Sequence, residues 1–180
     1  MRLLAISGSL RRGSHNTALL AAAAAELPSS VDFVHWHGLA DVPAYDEDVA
    51  VAPGPVNALR HEIGRSDAVL ISTPEYNASV PGALKNALDW ASRPFATNVL
   101  RDKPVAVVGA STGIFGAVWA QAELRRILTA IGARVDPREL PVGAAHEAFT
   151  EDGRLRDPRL AATLRTIVRD LTCETQRRAA

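Results

Sequence analysis

The chain alternates short, continuous apolar runs with longer stretches built from helix-forming residues. Leu3–Ser7, stopped by Gly8, predicts a buried strand, as do Ala68–Thr73, stopped by Pro74, and Pro104–Ala110. Val31–His37 sets Val, Phe and Trp against Asp, His and His, the alternation of a half-exposed edge strand. Between these runs, Asn16–Leu27 reads as a helix with Pro28 just past its end, and Val56–Arg65 as a second. Pro81–Ala91 is a third, with Pro in the first turn where a missing N–H costs nothing. Ala117–Ile131 is a fourth, ended by Gly132. Arg134–Leu140 predicts a weaker fifth strand, Asp152-Gly153 a turn, and Pro158–Leu171 a closing helix. Residues 38–54, rich in Pro, Gly and Asp, read as a loop.

Strands that alternate with helices imply an α/β fold, a parallel sheet covered by helices on both faces. Five strands in this rhythm suggest a flavodoxin-like doubly wound order, with ligands bound beyond the carboxyl ends of the strands. The loops after Ser7, Thr73 and Ala110 are therefore the places to look for chemistry. At 180 residues, a single domain over residues 1–180 is expected.

Charge narrows the partners. Twenty basic and twenty acidic residues give a formal net charge of zero. This disfavours a general nucleic-acid binder and a polybasic membrane-surface protein. Any anion must be held by a local device. Cys173 is the lone cysteine, so neither an intrachain disulfide nor a Cys-rich zinc site is available, and a reducing compartment is expected. Ala18–Ala25, the longest apolar run, is too short to span a bilayer, and Gly8–Gly13 interrupts the N-terminal apolar residues before a signal-peptide core forms. A cytoplasmic protein is the expectation.

The first loop supplies an anion device. It reads Gly-Ser-Leu-Arg-Arg-Gly-Ser-His-Asn-Thr and feeds a helix, whose N-terminus offers free N–H groups and a positive dipole end. Ser9, Ser14, His15, Asn16 and Thr17 surround it with polar groups, and Arg11 adds a fork for charge-assisted bonds. The alternative is a plain turn with Ser14 or Asn16 as cap, but capping needs one such residue. In the second loop, backbone N–H groups of Glu75 to Asn77 face the crevice beyond Pro74, suited to a heterocycle's carbonyls, and Tyr76 is placed to cover an aromatic ring. A turn with Ser79 near a helix cap explains that segment equally well.

These two segments together resemble a known family. Gly8-Ser9-Leu10-Arg11-x-Gly13-Ser14-x-Asn16, then Pro74-Glu75-Tyr76-Asn77-x-Ser79-x-Pro81-Gly82-x-Leu84-Lys85-Asn86-Ala87-x-Asp89-Trp90, are similar to the NAD(P)H-dependent FMN reductases. That group includes bacterial quinone and chromate reductases and azoreductases. The resemblance covers roughly residues 3–128. It implies a flavodoxin-like fold, bound FMN, NADPH or NADH as co-substrate, and a homodimer or homotetramer through the helix Pro81–Ala91. It places Ser9, Arg11, Ser14 and Asn16 on the phosphate, and Pro74, Glu75, Tyr76 and Asn77 on the isoalloxazine. In the third loop, Ser111, Gly113, Gly116, Ala120 and Gln121 match the family pattern and imply that Ser111 lies against the flavin, with Gly113 beside it. Ala117 stands where the pattern has Gly, and Trp119 where it has Arg.

The expected activity is ping-pong hydride transfer from a nicotinamide dinucleotide, through flavin N5, to a quinone or similar electrophile. No catalytic side chain and no metal is expected. A non-enzymatic FMN electron carrier is a second reading, although such carriers usually show an acidic excess. A third is a serine hydrolase, because Gly109-x-Ser111-x-Gly113 precedes Asp136 and His146 in hydrolase order. His35 and His37, two apart on one strand face, read as edge-strand polar positions rather than as a metal pair.

Overall fold

The computed structural model describes residues 1–179, with side chains through Cys173. Its strands are β1 Arg2–Ser7, β2 Asp32–Trp36, β3 Ala68–Thr73, β4 Pro104–Ala110, β5 Arg134–Val135 and β6 Pro141–Val142. Its α-helices are α1 His15–Ala25, α2 Gly54–Gly64, α3 Gly82–Ala91, α4 Val118–Ile131 and α5 Pro158–Ala179. Short 3-10 turns occur at Gly38–Asp41 and Phe95–Thr97. All strand pairs are parallel, in the order β2-β1-β3-β4-β5, with β6 also on β4. This is the doubly wound order that the alternation implied.

The pleat explains why the central strands read as continuous apolar runs. Leu3 and Ala5 of β1 join Leu70 of β3 and Val108 of β4 in one buried layer, against Leu19 and Leu20 of α1 and Leu164 and Ile167 of α5. Leu4 and Ile6 join Val69, Ile71 and Val107 in the opposite layer, against Leu59 of α2, Leu84 and Leu88 of α3, and Leu124 of α4. Both faces of each strand are covered, so neither face selects polar residues.

Of the expected fifth strand Arg134–Leu140, only Arg134–Val135 forms, and a second short strand, Pro141–Val142, follows beyond its expected end. Pro137 lacks an N–H, and the Asp136 carboxylate folds back onto the Arg138 N–H at 2.9 Å and its guanidinium. The ladder resumes only when Gly109 N–H donates to the Leu140 carbonyl at 3.2 Å. The closing helix runs past the expected Leu171. No described helix is long and apolar enough to cross a membrane.

Candidate functional site

The carboxyl ends of β1, β3 and β4 open onto one crevice. Ser9, Arg11, Ser14, His15, Asn16, Pro74, Glu75, Tyr76 and Ser111, all singled out in the sequence, line it. Thr17, Asn77 and Gly113 do not, while Ala110 and Thr112, which no sequence motif singled out, do. The last two lie where the end of β4 runs into its loop, so the strand ends, rather than residue chemistry, were the signal that could have found them.

Loop 8–17 is fixed by its own hydroxyls. Ser14 Oγ accepts the N–H groups of Asn16 at 3.2 Å and Thr17 at 3.3 Å, so Ser14 is the cap of α1. Its hydroxyl proton is left to donate outward. Ser9 Oγ accepts the Arg11 N–H at 3.3 Å, and Arg11 Nη2 donates to the Gly13 carbonyl at 2.6 Å. Among the described residues, the N–H groups of Gly13, Ser14 and His15 donate to nothing. Burial, then the charges of Arg11 and His146, hold the His15 imidazole below its ordinary pKa. This cradle of free N–H groups, hydroxyl protons and an arginine fork fits a phosphate monoester.

Asn16 lines the crevice, but its amide is committed to the sheet. Its Nδ2 donates to the Ala110 carbonyl at 2.9 Å. Its Oδ1 accepts the Ala110 N–H at 3.0 Å and the Ser72 hydroxyl at 2.8 Å. The side chain thereby acts as one more peptide at the end of β4, and only one amide proton remains for a ligand. Thr17 turns away from the crevice, its hydroxyl 3.3 Å from that of Ser7.

The second loop corrects one expectation. Tyr76 N–H donates to the Ser79 carbonyl at 3.0 Å, and Ser79 N–H donates back at 3.1 Å. Asn77 and Ala78 sit at φ 52° and 59° in the resulting hairpin. Tyr76 N–H is therefore unavailable to a heterocycle, whereas the Glu75 N–H remains free at the crevice wall. The Glu75 carboxylate reaches α4 instead, where Oε2 accepts the N–H groups of Trp119 and Ala120, both at 3.1 Å. Asn86 and Trp90 pin another loop within the chain. Asn86 Oδ1 accepts the Tyr45 N–H at 2.7 Å, and Trp90 Nε1 donates to the Pro43 carbonyl at 2.9 Å.

The third wall is strained. Gly116 and Ala117 both lie at positive φ, 59° and 61°. Gln121, fully buried, donates from Nε2 to the Gly116 carbonyl at 3.0 Å and accepts the Leu140 N–H at 3.1 Å. It fastens this turn to the broken fifth strand. No triad forms here. Ser111 Oγ accepts the Gly113 N–H at 3.2 Å, the Asp136 carboxylate is engaged by Arg138, and His146 faces Glu147 at 3.4 Å. No group of three or more potential metal ligands occurs among the described residues.

Comparison with known proteins places this geometry. The family model describing NADPH-dependent FMN reductases matches residues 1–147. The chain is 41% identical over 160 residues to an NAD(P)H-dependent FMN reductase of Pseudomonas aeruginosa, covering 87% of this chain and 85% of that protein. It is 45% identical over 130 residues to a 2-hydroxy-1,4-benzoquinone reductase of a Burkholderia species, covering 71% and 69%. Among solved structures, the flavoenzyme NAD(P)H:acceptor oxidoreductase FerB of Paracoccus denitrificans superposes with a TM-score of 0.86 at 37% identity, covering 98% and 97%. The crevice at the carboxyl ends of β1, β3 and β4 thus sits in a chain that belongs to the NADPH-dependent FMN reductase family of oxidoreductases.

Proposed function

We propose that the chain is one FMN-binding domain that passes hydride from NADPH or NADH to a quinone or similar small electrophile. The carrying observation is the crevice itself, with a phosphate cradle at loop 8–17 and a free N–H at Glu75 on one continuous lining. In this reading Ser9, Arg11, Ser14 and His15 hold the phosphate through hydroxyl, guanidinium and backbone donors. Asn16 holds the ends of β3 and β4 in register beneath the cofactor and has one proton left to donate. Pro74, Glu75 and Tyr76 flank the ring, with Asn77 shaping their hairpin, and Ser111 and Gly113 form the opposite wall. Thr17 supports the cradle through Ser7. FMN, when bound, supplies the hydride acceptance and release, so no side chain is required as acid or base. Half-exposed Tyr76 leaves one side of the crevice open to a second molecule.

We extend the reading to a homodimer or homotetramer through α3. Support comes from the family resemblance of that helix and from exposed Val49, which lines a hollow with Trp90 and Pro94 at its end. Cytoplasmic residence is supported by the unpaired Cys173.

The test is anaerobic mixing of the FMN-loaded protein with NADPH or NADH. The yellow absorbance bleaches with at least one donor, and parallel lines in double-reciprocal plots follow when a quinone is varied. Failure to bleach with either donor rejects the oxidoreductase in favour of a carrier. Arg11→Ala weakens FMN retention about tenfold or more, as measured by flavin fluorescence on dilution.

A further inference from the structure

A second hollow of about 310 Å³ lies on the β2 side of loop 8–17. That is room for a phosphate group and several waters, each of which occupies ~30 Å³. Its lining carries Arg11, Arg12, His35 and His37, with the hydroxyls of Ser9 and Thr17, and no carboxylate. The His35 and His37 rings lie 4.1 Å apart, centroid to centroid. Among the described residues, neither imidazole nor the Arg12 guanidinium has a hydrogen-bond or ion-pair partner. Several cations elsewhere are paired with acids, as in Arg2 with Asp32 and Glu62, Arg138 with Asp170, and Arg165 with Glu26. In a chain of zero net charge, two arginines and two unpartnered imidazoles gathered around one concavity without a carboxylate mark a place for an anion. Burial, and after it the neighbouring His37, lower the His35 pKa, which favours a neutral imidazole with one N–H to donate.

We propose that this hollow is a second anion site, contiguous with the first crevice through Ser9 and Arg11, that takes a phosphomonoester. Arg12 supplies a planar fork for two phosphate oxygens, and the imidazole pair supplies further donors. The phosphate has two possible sources: the adenosine 2′-phosphate of a phosphorylated nicotinamide dinucleotide, or a free phosphate. The first source rests on the oxidoreductase reading above; the anion site does not.

The experiment titrates FMN-loaded protein at low salt with adenosine 2′-monophosphate and, separately, with inorganic phosphate, by calorimetry. Arg12→Ser and His37→Gln, neither of which touches the proposed FMN cradle, are run beside the parent. The expected result is saturable binding of at least one probe, weakened about tenfold by Arg12→Ser and less by His37→Gln, with flavin absorbance retained. A matching rise in KM for NADPH but not NADH assigns the site to the donor. Equal binding of inorganic phosphate with an unmoved NADPH-to-NADH ratio assigns it to a free phosphate. No heat with either probe, or binding that survives both substitutions, overturns the site. A protein that bleaches with NADH yet binds neither probe rejects the hollow alone.

Discussion

Loop 8–17 and loop 111–117 each lead a buried strand into a helix, and each walls the same crevice, yet they are held by different means. Loop 8–17 is held from within: Ser14 caps α1 three residues ahead of Thr17, and Ser9 turns the chain at Arg11. Loop 111–117 has its own turn bond, from the Gly113 N–H to Ser111 Oγ, but its helix end is held from outside. The residue before α4 is Ala117, which has no capping side chain, and the helix N-terminus is closed by Glu75, 44 residues from Trp119. Gln121 and the Leu140 strand end fasten the same turn. A locally capped loop keeps its donors aimed outward, ready for an anion. A loop braced from afar holds its shape only while its neighbours hold theirs.

The largest expected effect tests the joint between the two loops. Asn16→Ala leaves the Ser72 hydroxyl and both peptide groups of Ala110 without their partner, and costs roughly 3 kcal/mol in urea unfolding. A loss under about 1 kcal/mol would mean that water replaces the amide and that the two loops are independent.

Next comes Gly116→Ala. The new Cβ would lie 2.4 Å from the Pro141 carbonyl carbon at a backbone of φ +59°. Overpacking and left-handed strain together cost about 2–4 kcal/mol, read from the same unfolding curves. The corresponding change in the first loop, Gly13→Ala, meets no atom within 4 Å and is expected to leave the midpoint nearly unmoved.

The caps themselves make the third test. Glu75→Ala removes the acceptor for two N–H groups at a positive helix end and costs about 1–2 kcal/mol. Ser14→Ala costs about 1 kcal/mol, and it also weakens FMN retention, which Glu75→Ala affects less. If Glu75→Ala releases FMN more readily than Ser14→Ala does, the contrast between anchoring and bracing fails.

The smallest effect has the opposite sign. Ala117→Gly relieves a left-handed alanine and raises stability by about 0.5–1 kcal/mol, since the strain removed exceeds the entropy that glycine adds in the unfolded chain. A thermal midpoint that falls would show that the methyl's burial outweighs the strain.

Most of the crevice was legible because local rules build it. A hydroxyl-rich loop between an apolar run and a helix specifies its own cap, and Ser9, Arg11 and Ser14 lie where that pattern puts them. The hairpin at Tyr76–Ser79 was less legible, because whether a backbone N–H faces a ligand or its own turn depends on the φ of Asn77 and Ala78. The split of the fifth strand at Pro137 and the commitment of the Asn16 amide to Ala110 lay beyond local pattern.

By itself, the sequence determined the strand–helix alternation, the burial of β1, β3 and β4, and the hydroxyl cap of loop 8–17. Periodicity, turn residues and caps act over a few neighbours, and those interactions are written in adjacent letters. Only the tertiary structure decided that Glu75 caps a distant helix, that Gln121 binds a turn to a broken strand, and that His35 on the edge strand and His37 just past it share a hollow with two arginines of the loop after β1. Each joins residues far apart in the chain, and their partnership exists only once the parallel sheet has set its strand order.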